Sequence, residues 1–91
     1  MKLTVRGFRK VTLKKFQNVK ASPLCAIHPK NQKKLKIGEG EIAINDSSAR
    51  LIDGRSDKFI GMTKTLRENL GLENGQVVEV TFENQILKIG I

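Results

Sequence analysis

Tryptophan and tyrosine are absent from this chain, and cysteine occurs once. A lone Cys25 excludes an internal disulfide and points to a reducing compartment. No apolar run approaches the ~20 residues needed to cross a bilayer, and the first residues lack the apolar core of a secretory signal. The expectation is a cytoplasmic protein without a membrane partner. Only two prolines occur, Pro23 and Pro29, and there is no low-complexity segment or long linker. The sharpest absence is of acid: residues 1–38 contain no Asp or Glu.

That same stretch carries eleven bases, whereas residues 39–91 carry six bases and nine acids within a net charge of +8. A positive field concentrated in one part of a chain attracts polyanions and displaces their counterions. The alternative is a solvated face that keeps the protein soluble. Ninety-one residues suffice for one domain, expected to span 1–91. The large apolar residues are mainly Leu, Ile and Val, which suit a small barrel better than a helical bundle.

Part of the chain occurs twice. Residues 24–44 (LCAIHPKNQKKLKIGEGEIAI) and 59–80 (FIGMTKTLRENLGLENGQVVEV) share one grammar. A shift of 35 positions brings Leu35 onto Leu70, Ile37 onto Leu72, Gly40 onto Gly75 and Ile42 onto Val77. Each copy reads strand, polar helical turn, Leu-x-Ile/Leu, glycine, strand. One such unit is too small to close a core, so two imply a pseudo-twofold domain with halves of about 1–46 and 47–91.

Alternating apolar residues predict a strand at 2–6 and a strand or extended arm around 10–14. Leu24–Ile27 reads as a short strand, and Pro29 opens a helix running to about Leu35. Strands are expected at 41–45, 49–52 after an Asp46-Ser47-Ser48 turn, 58–62, 76–82 and 86–89. Thr63 reads as the hydroxyl cap of a second helix that Gly71 stops. Gly40 and Gly75 should mark the same turn, with φ above zero. The expected core is Leu3, Val5, Ile27, Leu35, Ile37, Ile42, Leu51, Ile60, Leu66, Leu70, Leu72, Val78 and Val80.

The stretch from Gly61 to Val80, with Leu70-Gly71-Leu72 and Asn74-Gly75 ahead of Val77-Val78-Glu79-Val80, resembles the signature of the cradle-loop barrels. Residues 57–89 look like the AbrB-like DNA-binding pattern, except that Thr63 stands where that family usually has Pro and Gln76 where it has Asp. The whole chain looks more like the double-psi form found in the N-terminal domains of valosin-containing-type AAA ATPases, because both halves lie on one chain. The resemblance implies a mainly β fold with two short helices, a six- to seven-stranded double-psi β-barrel. This superfamily hosts enzymes, cofactor binders and adaptors alike, so the fold leaves function open.

Chemistry-bearing motifs are sparse. Cys25 and His28 have the residue types of a metal pair, but a structural zinc site needs four ligands and no other Cys or His exists. Gly38-Glu39-Gly40 is followed by a strand rather than a helix, so it reads as a turn and not a phosphate loop. Asp53-Gly54-Arg55-Ser56-Asp57 is the densest polar loop and reads as a connector. The expectation is a non-enzymatic module with no metal, no cofactor and no small-molecule substrate. Its candidate binding residues are Arg6, Arg9, Lys10, Lys14, Lys15, Lys20, Lys30, Lys33, Lys34 and Lys36. Phe8 and Phe16 lie among them and could stack bases or fill the core. The expected partner is nucleic acid. The alternative is an acidic surface of a host or AAA-type protein, met by an adaptor or inhibitor of a phage type.

Overall fold

The computed structural model describes residues 1–8, 23–38 and 40–90. The arm expected around 10–14 therefore lies outside the described residues. Seven strands and two short helices follow in order: β1 (Lys2–Arg6), β2 (Leu24–Ile27), α1 (Pro29–Leu35), β3 (Glu41–Ile44), β4 (Ser47–Asp53), β5 (Phe59–Met62), α2 (Lys64–Leu70), β6 (Val77–Glu83) and β7 (Ile86–Gly90). The strands close into a barrel in the order β1-β5-β2-β4-β3-β7-β6. Closure pairs every one of these strands on both sides and leaves no open edge among them.

Side-chain alternation decides which face each strand buries. In β1, Leu3 and Val5 point inward while Lys2 and Arg6 are exposed. In β2 all four residues are buried. Cys25 and Ile27 belong to the barrel core, and Leu24 and Ala26 are buried apart from it. Ten of the expected core residues are buried; Leu35, Ile37 and Leu70 are only half-buried and pack against the edge of the core. Ile44, Ala49, Met62, Leu87 and Ile89 join Cys25 as further core members.

The pairing scheme repeats. β1 runs parallel to β5 with Val5 opposite Ile60, and β4 runs parallel to β2 with Leu51 opposite Cys25. β1 is antiparallel to β6 with Leu3 opposite Val78, and β4 is antiparallel to β3 with Ala49 opposite Ile42. β2 and β5 meet antiparallel, with Ala26 opposite Gly61. A shift of 35 turns Ala26 into Gly61, so this pair is its own mirror and marks the pseudo-twofold axis. β7 lies between β3 and β6, parallel to one and antiparallel to the other, and breaks the symmetry.

The structure corrects the sequence alignment by one residue. Ile42 corresponds to Val78, not Val77, and Val77 is left 55% exposed. The shift of 35 holds through both helix exits, where Ile37 N–H donates to the Gln32 carbonyl and Leu72 N–H to the Arg67 carbonyl. Beyond them the Gly40 carbonyl accepts from Leu51 N–H, whereas in the other half the Gln76 carbonyl accepts from Val5 N–H. Gly40 and Gly75 do have positive φ, 102° and 91°, but they stand one position apart. The extra residue enters at the Glu73–Gln76 turn, where Gln76 N–H donates to the Glu73 carbonyl and Gly75 takes the third place, which demands positive φ. A one-residue slip in a strand reverses its faces, which is why Val78 and Val80 point inward.

The β3–β4 hairpin also differs from expectation. Ser47 and Ser48 belong to β4, paired with Ile44 and Ala43, and the turn is Asn45-Asp46. The β6–β7 turn is Asn84-Gln85, with φ of 53° and 67°, the left-handed pair that matches strand twist. The Asn45 side chain extends β7 like a strand neighbour. Its Nδ2 donates to the Ile89 carbonyl (3.1 Å) and its Oδ1 accepts from Ile89 N–H (3.0 Å).

Candidate nucleic-acid interface

α1 is built for positive charge. Pro29 opens it, His28 caps it by accepting Lys30 N–H on Nδ1 at 3.1 Å, and Lys36 ends it in the left-handed region. Lys30, Lys33 and Lys34 fall at spacings of three and four, so they share one helical face. Lys33 and Lys34 also complement the helix dipole in the last turn. Lys33, Lys34 and Lys36 are exposed and have no ion-pair partner among the described residues; Lys30 reaches Asp57 at 3.8 Å. In the symmetry-related α2, Lys64 instead faces Glu68 at 3.9 Å.

α1 is tied to the 54–58 loop. Asn31, buried in the helix, donates from Nδ2 to the Asp57 carbonyl at 2.8 Å. Gln32 Nε2 donates to the Ile27 carbonyl (2.6 Å) and to Asp53 Oδ1 (2.9 Å). Gly54 N–H donates to the Ile27 carbonyl at 3.1 Å, and a side chain on Gly54 would begin 3.1 Å from the His28 nitrogen. The polar loop read as a connector is therefore held against α1 and forms one wall of a cleft of about 280 Å³.

The opposite wall comes from β1 and β5. Arg6 pairs with Gly61 across the parallel ladder, which places Phe59 two residues back on the neighbouring strand. The Arg6 guanidinium lies over the Phe59 ring, 4.0 Å from its centroid. Phe8 lies against Gly61: a Cβ there would meet the Phe8 ring at 3.1 Å and the Ala26 Cβ at 3.0 Å. Arg55 and Ser56 line the loop side. Arg67 of α2 brings its guanidinium to 3.4 Å of the place where a Gly7 side chain would begin, beside the same cleft.

Of the candidate residues, Arg6 stands at the cleft and Lys30, Lys33, Lys34 and Lys36 on or just after the helix beside it. Arg9, Lys10, Lys14, Lys15 and Lys20, with Phe16, lie outside the described residues. Sequence reading missed Arg55, Phe59 and Arg67. The signal available for Arg55 was its place in the densest polar loop; nothing local pointed to Phe59, which the parallel β1–β5 pairing brings to the cleft, or to Arg67, which α2 sets beside Gly7.

Cys25 is wholly buried, and burial pushes its thiol up to about 12. It belongs to the barrel core. The Nδ1 of His28 is engaged as the α1 cap. Among the described residues no three His, Cys, Asp or Glu side chains gather for a metal, and no helix is long and apolar enough to cross a membrane. No protein-family model matches this chain, and no curated protein matches it.

Proposed function

We propose that this chain is a non-enzymatic module that binds nucleic acid through its basic first half. The observation that carries the reading is the asymmetry between symmetry-related elements. The fold repeats α1 as α2, yet α1 presents Lys33 and Lys34, with Lys36 just after it, exposed and free of ion pairs among the described residues, and its Lys30 reaches out of the helix to Asp57, while α2 pairs its Lys64 internally. Folding alone does not require that difference. Eleven bases without an acid in residues 1–38 support a phosphate-directed, salt-sensitive mode. Neither short helix has the length of a recognition helix, which favours contact with backbone and single strands over reading of a major groove. The closed barrel and the repeated pairing support placing the fold with the double-psi branch of the cradle-loop barrels.

The test compares the wild type with a variant in which Lys10, Lys14, Lys33 and Lys34 are changed to Ala. Affinity for single- and double-stranded oligonucleotides is measured across salt concentration. The wild type should lose affinity steeply with salt, and the variant's slope should flatten by about 0.7 to 0.9 per lost phosphate contact. Wild-type protein that binds neither oligonucleotide at low salt would replace this reading with an adaptor for an acidic protein surface.

A further inference from the structure

We propose that the cleft between Arg6 and the 54–58 loop receives one unstacked base of a single-stranded nucleic acid. This rests on the nucleic-acid reading and adds to it a place and a chemistry. The cleft, about 280 Å³, lies just below the ~300–1,000 Å³ of ordinary small-molecule pockets, a size suited to one ring system. Its surface is part aromatic and part guanidinium. Arg6 covers one face of Phe59 and is itself exposed. A base there would complete a Phe–Arg–base stack, an arrangement that single-strand recognition uses without regard to sequence.

Charge separates a base from a free anion. Asp53 lines the cleft together with Arg6 and Arg55, and one of its carboxylate oxygens accepts from Gln32 Nε2. A small anion inside would meet that carboxylate as well as the guanidiniums. A neutral ring carries no such repulsion, and the phosphates attached to it would lie outward. Arg55 on the rim and the Lys30, Lys33, Lys34 face of α1 then stand where the backbone would continue. Asn31 pins the loop at the Asp57 carbonyl and Gln32 holds Asp53 at the end of β4, so the cleft is formed in advance of binding.

The experiment measures binding of an oligothymidylate and of an abasic strand of equal length and charge, at fixed salt. The wild type should prefer the base-bearing strand by about tenfold. Arg6→Lys keeps the charge and removes the flat guanidinium. It should erase most of that preference. Equal wild-type affinity for the two strands would overturn the base-receiving cleft and leave the phosphate-directed function intact. Binding to neither strand would overturn both. A thymidine mononucleotide that binds as tightly as the long strand would also overturn the proposal, by making the cleft a small-molecule site.

Discussion

Cys25 and His28 illustrate how two reactive residue types, three positions apart, take separate structural roles. The Cys25 thiol is raised by burial from its ordinary 9.0 to about 12. The unfolded chain therefore releases this proton first. Stability from this group is complete below pH 9 and falls as pH rises towards 12. Urea melts across that range should show a steeper alkaline loss for the wild type than for Cys25→Ala, and a thiol reagent should modify Cys25 only after denaturation. Rapid labelling of the native protein at neutral pH would contradict its burial. His28 and Thr63 occupy matching cap positions, but only His28 uses its side chain. The Thr63 hydroxyl is buried without a hydrogen-bond partner among the described residues, while its N–H donates to the Leu24 carbonyl. Accordingly, His28→Ala should cost about 0.5–2 kcal/mol. Thr63→Val should change stability by no more than about 0.5 kcal/mol, because it removes an unpaired polar atom and keeps the shape. The reverse order of these two effects in thermal melts would show that the cap assignment is wrong.

At the level of elements, local chemistry was legible and registration was not. Alternation identified β1, Pro29 located the start of α1, and Gly71 located the end of α2, because each signal acts within one or two turns of chain. The one-residue slip after α2 escaped notice because Gly40 and Gly75 align in sequence and both have positive φ. The ladder registers of β3 and β6 and the hydrogen bonds donated by Leu51 and Val5 reveal the offset. Likewise, Ser47 and Ser48 look like turn residues, and the ladder to β3 overrides that preference. The Glu73–Gln76 turn gives a direct check. Gly75→Val places a β-branched residue at φ 91° and should destabilise by more than 1 kcal/mol. Asn74→Asp should cost much less, since its side chain is exposed and the turn accepts either residue. Equal, small changes in melting temperature would mean that the turn does not depend on glycine.

For the molecule as a whole, the barrel brings the end of β1, the start of β5 and the 54–58 loop to one place, beside the basic face of α1. The charge step was visible in the sequence because composition needs no fold to be read. The cleft was not, because Arg6, Phe59 and Arg55 meet only through the parallel β1–β5 pairing and the loop anchored by Asn31. Asp57 also moderates the basic face by pairing with Lys30, which sequence order gave no reason to expect. The central claim is that nucleic acid meets this face. Its most direct test is an amide chemical-shift titration of the labelled protein with a short single-stranded oligonucleotide at low salt. The account predicts shifts concentrated at Arg6, Gly54, Arg55 and the α1 amides, lost on adding salt, with β6 and β7 unchanged. Shifts confined to residues 64–90, or none at low salt, would contradict it.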